Sequence, residues 1–391
     1  MSREAVIVDV VRTPSGRGKP GGLLSGVHPV DLLAGVLTAV VGRNGLDPVL
    51  IDDVIGGCVS QIGEQSYNTV RSAVLAAGFP HSVPGTTIDR QCGSSQQAAA
   101  FAAQGVLAGA YDIVVACGVE SMSRVPLGSS IAGQNPYGER LATRYPDGLV
   151  GQGVSAELIA ARNGFTREEL DAFSAESHER AASAVRRGAF DREIVAVEGV
   201  DSLVDETVRA GTTPERLAGL APSFRTDRLA ARFPEIGWLI TPGNSSPLTD
   251  AASAALIMSS ERAASLGLAP RARFHSFAVA GSDPLLMLTG VLPVTRAVLD
   301  RSGLRLADID AYEVNEAFAP VPLLWRREFD ADPARLNPLG GAIALGHALG
   351  SSGTRLLATL VNHLEATGGR YGLQTMCEGG GMANATIIER I

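Results

Sequence analysis

The sequence predicts an α/β fold built from two similar halves with a loop domain inserted between them. Apolar strand segments alternate with helical segments, which indicates βαβ units around largely parallel sheets. The pattern of the first part of the chain returns in the last part, which indicates a duplication. At 391 residues the chain is also too long for one ordinary core. We expect an N-terminal half of residues 1–119 and 246–268, a loop domain of residues 120–245, and a C-terminal half of residues 269–391.

The duplication is visible at the start of each half. An apolar strand at Ala5–Val11 precedes a helical pattern that begins at Pro29, and the strand at Ala272–Ala280 precedes a similar pattern that begins at Pro293. Chance similarity between two βαβ segments is the alternative interpretation.

The match resumes later in each half. The Ala-rich helix Ser94–Gly109 leads into a strand that contains Cys117, and the helix Ser352–Leu364 leads into a strand that contains Cys377. Between the halves, an amphipathic helix is predicted over Thr166–Arg187, with Thr166 as its N-cap. An insertion of this length typically lids or lines a binding site, although a structural extension is also possible.

Composition excludes several classes of function. The net charge is −8 and Lys19 is the only lysine, so no basic cluster predicts nucleic-acid binding. No apolar run reaches 18 residues, so we expect a soluble protein with no membrane partner and no leader. The four cysteines are widely separated and show no metal-ligand spacing. We therefore predict reduced thiols, no metal site and a cytoplasmic location.

Cys92 is the strongest candidate for a reactive residue. Gly85–Ile88 predicts a short buried strand, and the helix from Ser94 follows at once, so Cys92 lies on a strand-to-helix turn. Free N–H groups and the helix dipole stabilise a thiolate at such a position. A buried structural cysteine is the alternative.

Three glycine-flanked or strand-end residues are expected to meet this cysteine. Asn315 follows an apolar strand, where open α/β folds place ligands, or it merely caps a helix. His347 stands in a glycine-rich loop, where it is either catalytic or structural. Cys377 ends a strand before three glycines, whereas its counterpart Cys117 is predicted to be inert and Cys58 to be packing.

This set of groups suits acyl transfer through a thioester. Such a reaction needs a nucleophile, a base, a second proton-transfer group and backbone donors for an oxyanion. A hydrolase would not need the second thiol.

The motifs resemble those of the thiolase family, the acyl-CoA C-acyltransferases that cleave or form 3-oxoacyl-CoA. They occur in the family's order from the first strand to the last and cover nearly the whole chain. The resemblance implies a duplicated, layered α-β-α-β-α fold. The matching stretches are the Cys92 turn, Gly118–Ser123, Gly243–Ser246, Asn315–Phe318, Gly340–His347 and Cys377–Gly381.

The resemblance also implies roles for individual residues. Cys92 would hold the acyl group as a thioester, His347 would accept the Cys92 proton, and Cys377 would be the acid/base at the substrate α-carbon. One oxyanion hole would come from His347 and a water on Asn315. The other would come from the N–H groups of Cys92 and Gly379.

Coenzyme A is implied as a substrate, with no permanently bound cofactor. Ser246 resembles the residue that lines the pantetheine channel. No basic residue for the CoA adenine is obvious, and Arg225 and Arg228 are the candidates. The family implies a homodimer or a homotetramer.

Departures from the family pattern bear on specificity. Ala348 replaces the usual proline after His347, and the segment Val150–Gly153 lacks the His-Met-Gly of many acetoacetyl-CoA-specific thiolases. We therefore do not favour a dedicated acetoacetyl-CoA enzyme. The Gln91–Gln97 and Tyr371–Arg390 stretches resemble those of thiolases that degrade bulky acyl or steroid-ring fragments. An acetoacetyl-CoA-specific thiolase and a ketoacyl-synthase-like condensing enzyme remain the alternatives, although Cys377 replaces the second histidine of the latter.

Overall fold

The computed structural model describes residues 3–391, which form one mixed sheet of ten strands with helices on both sides. The strands are β1 Ala5–Arg12, β2 Gly16–Arg17, β3 Asp53–Gly57, β4 Thr86–Ile88, β5 Ile113–Ser121, β6 Thr249–Ser259, β7 Ala272–Gly281, β8 Ala311–Val314, β9 Tyr371–Glu378 and β10 Met382–Arg390. The helices are α1 Pro29–Gly42, α2 Thr69–Ala76, α3 Ser94–Leu107, α4 Gly138–Arg144, α5 Gln152–Asn163, α6 Arg167–Arg186, α7 Pro214–Ala218, α8 Asp227–Arg232, α9 Ser260–Ser265, α10 Val291–Ser302, α11 Pro320–Glu328, α12 Ala342–Leu345 and α13 Ser352–Thr367.

The strand order shows the duplication directly. The path runs β4-β3-β5-β6-β1-β7-β10-β9-β8, so each half repeats the same neighbours outward from the junction of β1 and β7. That junction is short, since β1 and β7 pair only at two positions. The prediction of two similar halves is confirmed.

The prediction of largely parallel sheets is wrong. β3, β4 and β5 are parallel, as are β8 and β9, but β6 and β10 each run antiparallel to both of their main neighbours. The reason is local in the second half, because three glycines turn the chain back from β9 into the β10 hairpin. In the first half, β5 returns as β6 only after residues 122–248.

The two central helices lie between the halves and make the middle layer. Alanines of α3 share one core cluster with Leu357, Leu360 and Val361 of α13 and with apolar side chains of strands from both halves. The helices cross at Gly353, where an added β-carbon would overlap the backbone nitrogen of Gln96. Helices α1 and α10 cover the outer faces.

Local sequence signals locate the elements well in several places. The helix predicted over Thr166–Arg187 is α6, and Thr166 forms the expected N-cap together with Glu169 in a capping box. The strand predicted at Gly85–Ile88 is β4, but its residues are exposed or half-buried because β4 is the outermost strand of its half. The division into residues 1–119 with 246–268, 120–245 and 269–391 remains a proposal.

No helix within residues 3–391 is both long enough and apolar enough to cross a membrane.

Candidate active site

A strained turn presents Cys92 at the start of α3. Gln91 adopts φ +48°, a left-handed conformation that is unusual for a residue with a side chain. Ser94 holds the turn closed, because its Oγ donates to Gln91 O over 2.6 Å and accepts from Arg90 N over 2.9 Å. Cys92 is only 2 % exposed. The predicted strand–turn–helix setting of this thiol is present.

The thiol is not a thiolate at rest, which corrects our expectation from the helix N-terminus. Burial raises the pKa of Cys92 to about 12, and the carboxyl groups of Glu378 and Glu120 add to the rise. The loss of hydration therefore outweighs the helix N-terminus at this position. Reaction at neutral pH requires a base that takes the proton as the sulfur attacks.

His347 is oriented by a hydrogen bond at its Nδ1. Its Nδ1 lies 2.6 Å from Ser352 Oγ, and Ser352 Oγ donates to Ala348 O over 2.8 Å. Because the hydroxyl proton of Ser352 is in the hydrogen bond to Ala348 O, Nδ1 carries the imidazole proton and donates a hydrogen bond to Ser352 Oγ. Nε2 is then the unprotonated nitrogen and can act as an acceptor. Burial, with the charge of Arg355, lowers the pKa of His347 to about 3, so the ring is neutral at physiological pH.

Asn315 lies beside the same nitrogen. Its Nδ2 is 3.4 Å from His347 Nε2, and its backbone N–H extends the pairing of β8 with β9 by donating to Thr375 O. Helix α11 begins only at Pro320, with Ala319 as its N-cap, so the alternative in which Asn315 caps a helix is wrong. The structure brings Asn315 and His347 together as expected.

Two buried carboxylates anchor the loop that carries His347. Glu316 accepts from Ser177 Oγ over 2.7 Å, from Asn337 Nδ2 over 2.8 Å and from Ile343 N over 3.1 Å. At the other end, Glu120 accepts from Gly350 N over 3.0 Å. These bonds fix the loop at both ends, so the position of the imidazole is determined before any substrate binds.

Cys377 approaches Cys92 from the other half of the molecule. It lies on β9 one residue before the strand ends and is fully buried. Burial raises the pKa of Cys377 well above its usual value, and the residue after Cys377, Glu378, lies against Gly93, the residue after Cys92. The fold therefore pairs a thiol at the start of α3 with a thiol at the end of β9.

Gly379 lies on the turn after β9, next to the Cys92 turn. A β-carbon added to Gly379 would lie 2.9 Å from Gln91 Oε1 and 3.3 Å from Gln152 Nε2. Both glutamines therefore face the turn that follows Cys377.

Gln152 and Ser352 are site residues that the sequence did not single out. Gln152 Nε2 lies 4.0 Å from Cys92 Sγ, and it is the first residue of α5 in the inserted region. The predicted role of that region in lining a site was a signal for Gln152. Its distance of 60 residues from Cys92 concealed the contact.

The residues proposed for CoA contacts lie outside this inner cluster. Ser246 is half-buried and its backbone N–H donates to Ala317 O over 3.0 Å, which holds it near Asn315. Arg225 and Arg228 are exposed in and beside α8, and Arg225 has only a distant contact of 3.8 Å with Asp227. The structure does not bring either arginine to Cys92.

The remaining cysteines lie in the core of the first half. Cys58 and Cys117 are fully buried in one apolar cluster, and burial raises the pKa of each thiol. Across residues 3–391, no three His, Cys, Asp or Glu side chains form a group that could hold a metal ion.

Comparisons with known proteins identify the family of this chain. The thiolase N-terminal domain family matches residues 5–261 and the thiolase C-terminal domain family matches residues 268–390. The steroid 3-ketoacyl-CoA thiolase FadA6 of Mycobacterium tuberculosis is 47 % identical, with 99 % of this chain and 94 % of that protein covered. A 3-ketoacyl-CoA thiolase of Saccharophagus degradans is 41 % identical, with 100 % and 99 % covered.

A solved structure shows the same architecture. The acetyl-CoA acetyltransferase of Bacillus anthracis superimposes with a TM-score of 0.88 at 37 % identity, covering 100 % of this chain and 99 % of the other. Both family domains match in order, and the likeness spans the full length. The chain therefore belongs to the thiolase family and is an acyltransferase of acyl-CoA substrates.

Proposed function

We propose that this chain degrades 3-oxoacyl-CoA by thiolysis and that its acyl group is bulky. The observation that carries the mechanism is the pair of buried thiols, Cys92 and Cys377, together with a neutral imidazole whose Nε2 is unprotonated and lies beside Asn315. A single nucleophile and base would suffice for hydrolysis, whereas carbon–carbon cleavage also needs a proton donor at the α-carbon.

The proposed reaction has two stages. Cys92 gives its proton to His347 Nε2 as its sulfur bonds to the 3-keto carbon. The oxyanion that develops accepts hydrogen bonds from His347 and from a water held by Asn315. The bond between the α- and β-carbons then breaks, and the leaving acetyl-CoA enolate takes a proton from Cys377, with the N–H groups of Cys92 and Gly379 on its oxygen. The thiol of a second CoA gives its proton to the Cys377 thiolate as its sulfur attacks the Cys92 thioester. The carbon–sulfur bond to Cys92 breaks, the shortened acyl-CoA is released, and the Cys92 sulfur takes back its proton from His347.

The inserted region supports the proposal of a bulky, apolar acyl group. Gln152 reaches Cys92, and the next residue, Gly153, leaves room for the ring of Phe224. Phe224 packs in turn against an apolar cluster, which would give an acyl chain a hydrophobic lining. The cluster consists of Val150, Val154, Leu158, Phe233, Ile236 and Trp238. The similarity to the steroid 3-ketoacyl-CoA thiolase supports the same substrate class.

The CoA contacts and the assembly complete the proposal. Ser246 would line the pantetheine channel, and Arg225 or Arg228 would meet the adenine nucleotide at the surface. We expect a homodimer or homotetramer in the cytoplasm, and β4 is an outer strand with one open edge near the Cys92 turn that could pair with a second copy.

A panel of 3-oxoacyl-CoA substrates tests the proposal. Turnover is followed by loss of the enolate absorbance with acetoacetyl-CoA, straight-chain and ring-bearing substrates. We expect kcat/KM for the ring-bearing acyl group to exceed that for acetoacetyl-CoA by at least about tenfold.

The control for the panel is Cys92→Ser, which we expect to be nearly inactive on every substrate. A clear preference for acetoacetyl-CoA would favour the acetoacetyl-CoA-specific alternative, toward which the Bacillus anthracis likeness points. Undiminished turnover by Cys92→Ser would overturn the thioester mechanism.

A further inference from the structure

A carboxyl group next to Cys377 in the chain lies against the Cys92 turn and has no role in the mechanism above. Glu378 follows Cys377 directly on β9 and is fully buried. Its side chain reaches Gly93, the residue after Cys92, since a β-carbon added to Gly93 would overlap Glu378 Oε1. Glu378 therefore lies against the turn that presents the nucleophile.

Asn384 reaches the same point from β10. Glu378 pairs with Met382, two residues before Asn384, so Glu378 and Asn384 lie on the same face of the hairpin. Asn384 Nδ2 donates to Gly93 O over 3.0 Å and would lie 2.8 Å from a β-carbon on Gly93. Both side chains thus join the β9–β10 hairpin to the Cys92 turn.

The hydrogen bonding of this pair is incomplete if Glu378 is ionised. Among residues 3–391, neither oxygen of Glu378 nor Oδ1 of Asn384 has a hydrogen-bond partner, and all three are acceptors. A proton on Glu378 would supply one donor on the face of the hairpin that also carries Asn384, whereas a buried carboxylate without a donor is costly.

The surrounding charges agree with a neutral carboxyl group. Burial raises the pKa of Glu378 to about 8, the nearby Asp89 raises it further, and Arg90 opposes the rise. The other titratable groups that face Glu378 are Cys92 and Cys377, and an ionised Glu378 raises the pKa of both. A negative charge here therefore opposes formation of either thiolate.

We propose that Glu378 acts in its protonated form as a positioning residue, which clamps the Cys92 turn to the Cys377 strand and keeps this corner free of negative charge. Its carboxylic acid donates to Asn384, and Asn384 holds Gly93. Loss of the Glu378 proton at alkaline pH removes the donor and places a charge beside both sulfurs. This inference rests on the proposed roles of the two thiols.

The test measures the reactivity of Cys92 without any acyl-CoA. Wild type, Glu378→Gln and the control Glu261→Gln, which removes one exposed surface charge, are alkylated with iodoacetamide and the Cys92 peptide is quantified by mass spectrometry. We expect equal rates for wild type and Glu378→Gln near about pH 6.5. Near about pH 9.5 we expect Glu378→Gln to react about fivefold faster, because no charge develops beside the sulfur.

Turnover provides the second readout, with CoA and a 3-oxoacyl-CoA as substrates. We expect Glu378→Gln to keep kcat within about twofold at neutral pH and to lose part of the alkaline decline of wild type. Glu261→Gln should follow wild type in both experiments, since Glu261 lies on the surface.

A constant ratio of alkylation rates between Glu378→Gln and wild type across the pH range would overturn the inference. If Glu378→Gln does not fold, wild type alone decides. Its alkylation rate must rise less than about tenfold per pH unit across the pH range in which Glu378 loses its proton, and a full tenfold rise throughout that range would contradict the proposal. Failure of thiolysis with a normal alkylation profile would instead count against the proposed function.

Discussion

Cys117 and Cys377 occupy corresponding strands of the two halves and differ in what surrounds them. Each lies on the strand that follows its central helix, and each pairs with an alanine of the next antiparallel strand. Cys117 packs against Gly56 in an apolar core. Cys377 precedes Glu378, whose side chain lies against the Cys92 turn of the other half. The same buried thiol is therefore structural in one half and is proposed to be catalytic in the other.

Two buried carboxyl groups show the same contrast. Glu120, after Cys117, is fully bonded because it accepts from the backbone of Val59, Ser60 and Gly350 and from Gln65. Glu378, after Cys377, has no partner within residues 3–391. The carboxyl group of Glu120 is held by a full set of hydrogen bonds, whereas the oxygens of Glu378 are buried acceptors without a donor in the described part of the chain. The two carboxyl groups stand three residues after Cys117 and one residue after Cys377, and of the two only Glu378 retains acceptors that no described residue uses.

The largest expected difference between the halves is in turnover. Replacing Cys377 with alanine removes the proposed proton donor, and we expect kcat for thiolysis to fall by about 10²- to 10⁴-fold. The rate is measured with a 3-oxoacyl-CoA at saturating CoA. A loss smaller than about threefold would show that the two cysteines are equivalent and would end the comparison.

A smaller effect is expected from the residue that sets the tautomer of His347. Ser352→Ala removes the acceptor of the Nδ1 proton, and we expect kcat to fall about 10- to 100-fold with little change in KM. Ser352→Thr keeps the hydroxyl group and should recover most of the activity. Wild-type kcat in Ser352→Ala would mean that Nε2 is kept as the acceptor by other contacts.

The smallest effect on activity is expected at Cys117. Cys117→Ala should leave kcat within about twofold of wild type and lower the free energy of unfolding by about 1 kcal/mol, because it opens a small cavity in the core. Urea unfolding measures the stability and steady-state kinetics measure kcat. A large loss of kcat at unchanged stability would contradict the structural role of Cys117.

Much of the architecture could be predicted from the sequence because short stretches of residues determine where the helices and strands begin and end. Helix α6 begins at a capping box, and the repeated strand and helix patterns identify the two halves. The direction of β6 and β10 was missed, since pairing between distant strands leaves no periodic signal in the chain. The exposure of β4 was missed for the same reason.

The site shows a similar division. Glycine-rich segments pointed to His347 and Cys377, because such loops bring the backbone close to a ligand. The contact of Gln152 with Cys92 and the contact of Ser352 with His347 depend on side-chain directions that only the folded chain determines. The raised pKa of Cys92 could not be predicted from the sequence either, because the desolvation that raises it comes from residues distant in the chain.

One measurement tests most directly the claim that the two thiols divide the reaction. Cys377→Ala and its matched control Cys117→Ala are mixed with a saturated acyl-CoA, and the acyl group on Cys92 is quantified by mass spectrometry before multiple turnovers. We predict that Cys377→Ala acylates Cys92 within about threefold of wild type while its thiolysis of 3-oxoacyl-CoA falls at least about 100-fold. Equal loss of acylation and thiolysis in Cys377→Ala, with Cys117→Ala unaffected, would contradict the division of roles.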